Sequence, residues 1–268
     1  MTKIVKKETG AVKVVDMSMF EADAGKGMGE IGLADLSVSY LVLLSGGKDL
    51  DAAKAVNEAA NKGDFFNKGT GTVYKGSDGI DVIPCAYQRR FVRWTPLGAG
   101  SKAPLASFTQ HEKRPETAKR KKSKEEPEDY KDYVVGCPQG SYLAETFYWY
   151  VFVVKEDGTF ERAVIAMYST QIKKSKLWNN MVSGLMLVGE DGPFNPPRYS
   201  HIYHLSSVQE QNNLGQWSGW GISRVGPVTD TSHYVQAKSF SESIYSDEVT
   251  IDHSQENDEV ADSNSIPF

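Results

Sequence analysis

Cysteine is scarce in this sequence: Cys85 and Cys137 are the two in 268 residues. A disulfide framework is therefore excluded, and a cysteine-based zinc site lacks ligands. Long apolar runs are missing as well. The longest, Phe147 to Val154, falls short of the roughly 18 residues a membrane-spanning helix needs. Its aromatic and β-branched content suits a buried strand. The stretch Met1 to Glu8 lacks the apolar core of a secretion signal, so a cytoplasmic protein without a membrane partner is expected. Histidine is limited to five residues. His201 and His204 lie three apart and would face opposite sides of a strand, which spoils a chelate; no metal and no cofactor is expected. There is no P-loop, no G-x-S-x-G elbow and no H-E-x-x-H helix. Gly27 to Gly32 fits G-x-G-x-x-G, but no convincing strand precedes it and no βαβ pattern surrounds it, so it reads as a hinge. The acids of the body are scattered and assemble no two-metal nuclease site. The reading assigns no catalytic residue.

What is present is a β pattern. Gly71 to Tyr74 and Ile80 to Ile83 flank a Gly76-Ser77-Asp78-Gly79 turn and predict a hairpin, with Ala86 to Trp94 continuing as strand. Thr146 to Val154 and Phe160 to Tyr168 flank Glu156-Asp157-Gly158 and predict a second. Tyr199 to Val208 and Gln216 to Val225 read as a late strand pair. Helices are predicted over Asp49 to Lys62, with Asp51 as a cap, and over Ser169 to Leu187, capped by Ser169 or Thr170. The expected fold is mainly β with one or two helices: an OB-like β-barrel with an elaborated N-terminal half and a disordered acidic tail. Residues 1–32 read as a flexible arm with one short strand near Val12 to Val15. Residues 33–240 read as the domain, and 241–268 as the tail. Within the domain, the charged residues 111–132 cannot bury enough apolar surface to order themselves, and they read as a mobile loop.

The charge is unevenly spread. The whole chain carries 30 basic and 35 acidic residues, a net −5. Eight of those acids fall in residues 242–268, which hold no Lys or Arg. That leaves 27 acids against 30 bases in the remainder, so a body of +3 carries a tail of −8.

The sequence closes on Ile266-Pro267-Phe268. A partner pocket can hold the Phe268 ring while a basic residue meets its carboxylate, and Pro267 lowers the ordering cost. In this tip the chain resembles the bacterial single-stranded DNA-binding proteins, whose acidic tails close on Ile-Pro-Phe, and the DNA-binding proteins of T7-like phages, whose acidic tails end in Phe. Asp262-Ser263-Asn264-Ser265 is less acidic than the bacterial pattern. Three stretches of the body, Gly63 to Asn67, Ile83 to Trp94 and Gln216 to Trp220, are similar to a group of phage single-stranded DNA-binding proteins. The resemblance implies an OB fold, no enzymatic activity and a role in phage DNA replication, recombination or repair in the host cytoplasm.

Independently of that resemblance, cations and rings occur together where a strand-binding groove needs them. Tyr87 to Trp94 holds Arg89, Arg90 and Arg93 beside Tyr87, Phe91 and Trp94. On a strand, Tyr87, Arg89, Phe91 and Arg93 share one face, while Arg90 and Trp94 point the other way. The competing reading is an edge strand with solvated Arg residues. Lys173, Lys174 and Lys176 open the second helix as candidate phosphate contacts; Trp178 there reads as core. In Phe147 to Tyr150, the polar tips of Tyr148 and Tyr150 suit a wet stacking surface. Trp217 and Trp220 cannot share a face, so one is expected buried and one near the groove. The Lys119 to Lys124 cluster is offset by Glu125, Glu126, Glu128 and Asp129 and reads as a solvated loop.

The expectation is a protein that coats single-stranded DNA without reading sequence and recruits replication or repair proteins through its tail; a homodimer stays open. The alternatives are a phage virion or scaffold protein, a strand-annealing recombination protein, and a nuclease.

Overall fold

The computed structural model describes residues 17–23, 26, 37–95, 104–119, 131–137, 140–212, 215–246 and 250–251. The chain opens with α1 (Met17–Ala22), β1 (Ser37–Val38), β2 (Leu41–Leu43), α2 (Gly47–Val56), β3 (Phe65–Asn67) and β4 (Thr72–Tyr74). The main sheet follows with β5 (Ile80–Trp94), β6 (Ala106–Phe108), β7 (Thr117–Lys119), β8 (Asp132–Val134), β9 (Tyr142–Val154) and β10 (Phe160–Tyr168). Then come α3 (Ile172–Ser183), a short hairpin of β11 (Leu187–Gly189) and β12 (Gly192–Phe194), and a long ribbon of β13 (His201–Asn212) and β14 (Gly215–Pro227). The last elements are α4 (Thr231–Tyr245) and β15 (Thr250–Ile251), which pairs in parallel with β1.

The protein is mainly β, as the alternation predicts. Eight strands form one sheet in the order β14-β13-β5-β9-β8-β7, with β10 also on β9 and β6 also on β5. This sheet curls into a half-barrel. The small β2-β3-β4 sheet packs against it: Tyr40, just before β2, bridges to Val164 on β10, and Phe65 on β3 meets Trp220 on β14. The inner core so enclosed includes Leu41, Phe65, Val82, Trp149, Ile165, Trp178 and Leu205. α3 lays Trp178 against Trp149, centroids 3.9 Å apart and nearly parallel.

The β9–β10 hairpin turns where predicted. Gly158 takes φ +78°, and Asp157 accepts from the Thr159 amide and hydroxyl. The first predicted hairpin does not form: β4 pairs with β3, and β5 pairs with β9 and β13. Its Gly-rich turn is instead a corner between sheets. The Gly76 amide donates to Asp64, and the Gly76 carbonyl accepts from the Ser207 amide. Gly79 has φ +71° and lies so close to His204 that any Cβ would collide with the imidazole.

The helices depart from expectation in three ways. α2 starts after Gly46, with no side-chain cap from Asp51, and ends at Val56 because Asn57 is extended. α3 begins at Ile172, after a 3-10 turn over Ser169–Gln171, and has no Ser or Thr cap. Four α-helices occur among the described residues where one or two were expected. The added α4 overturns the placing of the tail boundary at residue 241. Asp230 caps it, accepting from the amides of Ser232 and His233. Its buried stripe of His233, Ala237, Phe240 and Ile244 recurs at helical spacing and covers the outer face of the sheet. Phe240 stacks on Phe152, which stacks on Phe160.

Of the predicted loop 111–132, Thr117–Lys119 is a strand that pairs with Asp132–Val134, and Lys119 meets Asp132 across the ladder at 2.9 Å. Residues 120–130, the arm's predicted strand near Val12 to Val15, the Gly27 to Gly32 hinge and residues 252–268 lie outside the described residues. Among the described residues no helix is long and apolar enough to cross a membrane.

Candidate functional site

The site begins with a bulge in β5. Ile80 and Val82 face the inner core, and Ile83 faces the outer one. The β5–β9 register shifts between Pro84 and Ala86. A bulge adds one residue and so reverses the alternation beyond it. After it the odd-numbered Tyr87, Arg89, Phe91 and Arg93 share the face that continues the inner side, and Val92 and Trp94 enter the outer core. The predicted division of this segment between two faces is therefore present.

On that face, rings and guanidiniums alternate. Arg114 lies 3.7 Å above the Phe91 ring. Arg89 stands between Phe91 (5.3 Å) and Phe147 (5.8 Å) and pairs with Glu145. Tyr87 meets Phe147 and Trp149 edge-on, at 5.8 and 5.1 Å. Arg198 sits 5.3 Å from the Tyr87 ring and 4.9 Å from the Trp149 ring. Contacts of this kind contribute about 0.5–1 kcal/mol each at exposed sites, so the row fixes side-chain positions more than it stabilises the fold. Arg93 ends the face, donating to Ser141 Oγ at 3.1 Å and towards Cys137 Sγ. Burial pushes the Tyr87 and Tyr203 phenols up and the Arg198 guanidinium down from their ordinary values.

The backbone of Tyr87 has a further partner. Between its pairings with β13 at Val82 and with β6 at Phe91, β5 has no strand neighbour on that edge among the described residues. The Tyr245 hydroxyl at the end of α4 takes the Tyr87 amide and approaches the Tyr87 carbonyl, at 3.4 and 3.5 Å.

A second cluster lies on α3 and β14. Lys173 and Lys176 are exposed, and Lys174 pairs with Glu210 at 2.6 Å. Glu210 also accepts from the Trp217 indole at 2.9 Å. Trp217 is half-buried and Trp220 is buried against Phe65.

Besides Trp220, three predicted contact residues are withdrawn from any surface. Trp94, Tyr148 and Tyr150 are 0%, 1% and 2% exposed. All three point into the outer core, which α4 makes dry. Alternation places Tyr148 and Tyr150 together correctly, but both faces of β9 are interior. Arg90 is on the outer side too, bonded to Gln88, which also accepts from the Tyr150 hydroxyl. Ile266, Pro267 and Phe268 lie outside the described residues. The sequence reading missed Arg114, Arg198 and Asn179, because each reaches the row from a segment far from β5. Pro115 beside Arg114 and Pro196-Pro197 before Arg198 are the local signs that these loops hold a fixed path.

Two of the stretches that carry the phage resemblance meet in space. Phe65 rests on Trp220, and Asp64 clamps the corner by accepting from Asn61, Lys75 and Gly76. Asn67 donates to the buried Glu161, which also accepts from Thr70, Thr72, Tyr74 and Lys155. These residues tie the small sheet to β10 and to β14. The third stretch supplies the face with the cations and rings. Among the described residues no three His, Cys, Asp or Glu side chains are grouped to hold a metal.

A family model described as Pam3 phage gp34-like protein matches residues 6–250. The chain belongs to the Pam3 phage gp34-like family. The matched span of this gp34-like protein takes in the whole half-barrel, the row of cations and rings, and α4; it stops before the closing residues of the acidic segment. No curated protein and no solved structure matches the chain.

Proposed function

We propose that this gp34-like phage protein binds single-stranded DNA without sequence preference. The observation that supports this reading best is that Arg114, Phe91, Arg89 and the half-buried Tyr87 follow one another along one face, packed on the buried Phe147 ring. Flat rings stack on bases of any identity, and the guanidiniums between them neutralise phosphates. Exposed Lys173 and Lys176 extend the positive charge onto α3. The strand would be held for replication, recombination or repair in the host cytoplasm. The acidic segment, with Phe268 as its anchor, would recruit partner proteins and compete with DNA for the cations, linking recruitment to occupancy.

The test is anisotropy of a labelled mixed-sequence single strand across a salt series, with the duplex in parallel. Tight binding that prefers the single strand and weakens with salt supports the reading. Absence of binding at low salt, for the full chain and for a form lacking residues 252–268, overturns it.

The virion or scaffold reading has one observation in its favour. Leu177 on α3, Met186 just before β11, and Val188 and Phe194 on the β11–β12 hairpin are exposed apolar residues. It predicts assembly into large particles without DNA, which sedimentation measures directly.

A further inference from the structure

We infer that Arg198 and Asn179 form a seat for one phosphate group, at the end of the row where Tyr87 meets Trp149. As a phosphodiester seat this rests on the single-strand reading above; as an anion seat it stands on the geometry alone.

Arg198 is half-buried, yet among the described residues no carboxylate lies within ion-pair distance of it. Several half-buried lysines are paired with acids instead. Lys68 has Asp49, Lys155 has Glu161 and Lys174 has Glu210. A desolvated cation is costly unless paired, so a half-buried one without a carboxylate is suited to take an anion. The other half-buried arginines without a carboxylate at ion-pair distance among the described residues are placed differently: Arg90 is bonded to Gln88 on the outer side, Arg93 to Ser141, and Arg162 lies against Phe240 under α4.

The donors suit a tetrahedral anion. One guanidinium nitrogen of Arg198 donates to Asn179 Oδ1 at 3.0 Å, and its ring contacts with Tyr87 and Trp149 hold the plane. A guanidinium has five N–H groups in a fixed fork, which leaves donors for bidentate contact with phosphate oxygens. Asn179 also acts on the Tyr87 hydroxyl, so the seat and the first ring of the row are neighbours. The backbone is set in advance: Pro197 leads into the 3-10 turn Arg198–Ser200, whose Ser200 carbonyl accepts from Val228. A preset cation loses little entropy on binding. A strand whose base stacks by Tyr87 would therefore place a backbone phosphate on Arg198.

The experiment uses the full chain, with Arg198→Met and Arg198→Lys beside the wild type, each checked for folding by circular dichroism. Single-strand affinity is measured across a salt series. In parallel, melting is followed in inorganic phosphate and in chloride at matched ionic strength. For Arg198→Met we expect roughly tenfold weaker strand binding and a salt slope lower by about one, with Arg198→Lys intermediate. Phosphate should raise the wild-type melting temperature and leave that of Arg198→Met unmoved. Equal affinity and equal slope for wild type and Arg198→Met overturn the strand seat while leaving DNA binding in place. If the wild type binds no strand, phosphate melting decides alone: a wild-type shift that Arg198→Met loses supports a seat for a free phosphate compound, and no such difference overturns it. Should Arg198→Met not fold, Arg198→Lys and Asn179→Ala carry the same comparison.

Discussion

The ring of Phe65, on β3, rests on the indole of Trp220, on β14, with centroids 5.1 Å apart and planes tilted by 31°. These residues lie 155 positions apart, and their contact joins the small sheet to the ribbon. Phe65→Ala and Trp220→Ala should each destabilise by about 3–5 kcal/mol. The double variant should lose less than the sum of the two, since both remove one contact. Urea unfolding of the four proteins measures this; full additivity would show that the rings do not support one another.

Phe91 and Tyr150 were equivalent candidates by composition, and the fold separates them. Phe91 faces Arg89 and Arg114, whereas Tyr150 lies under Phe240 with its hydroxyl on Gln88. Phe91→Ala should weaken single-strand binding by about 1–3 kcal/mol, the worth of one stacked base. Tyr150→Phe should leave affinity unchanged and cost about 1 kcal/mol of stability. A loss of affinity in Tyr150→Phe with Phe91→Ala unaffected would move the interface to the other side of the sheet.

Acid should loosen the small sheet first. Burial alone would raise the carboxyls of Glu161 and Asp64. Donors from Lys155, Thr70, Tyr74 and Thr72 to Glu161, and from Gly76, Lys75 and Asn61 to Asp64, outweigh it and hold both below their ordinary values. A carboxyl that is harder to protonate folded than unfolded contributes stability above its unfolded value, about 4, and loses it as pH falls through the folded one. The contribution of these two carboxyls should be flat from pH 7 to about 5 and decline below that. Glu161→Gln should be less stable at neutral pH and show a shallower acid limb in denaturant titrations.

Where the acidic segment is cut matters. Removing residues 252–268 leaves α4 and β15 whole and should tighten single-strand binding at low salt by removing acids that compete with phosphate. Removing residues 242–268 takes away Ser243, Ile244 and Tyr245, two of them buried and the third bonded to Tyr87. That truncation should lower the melting temperature by several degrees at the least. If both truncations melt alike, the last turn of α4 is dispensable.

Some of this was legible in the sequence, and the rest depended on distant covering. Turns written in local chemistry, such as Asp157-Gly158, were read correctly, because a glycine at positive φ and an Asp accepting from Thr159 need no tertiary partner. The shared face of Tyr87, Arg89 and Phe91 followed from alternation alone. Whether Tyr148 and Tyr150 meet water could not be read from β9, since the answer lies in α4, some 90 residues later. The apolar stripe of α4 is diluted by Ser239, Ser241 and Ser243, so its spacing passed for a polar tail. Arg114 and Arg198 were missed because a cation over a ring leaves no trace in either residue's neighbourhood.

The bulge after Pro84 has a consequence for how this chain can vary. It works as a phase shifter, letting one continuous strand serve as interior wall in its first half and as working surface in its second. Substitutions within either half alter that half alone. Deleting a single residue at the shift would turn the second half inside out, sending Arg89 and Phe91 toward α4 and bringing Val92 and Trp94 out to solvent. Loop lengths elsewhere in the molecule can drift without that penalty; the residue count between Val82 and Tyr87 cannot.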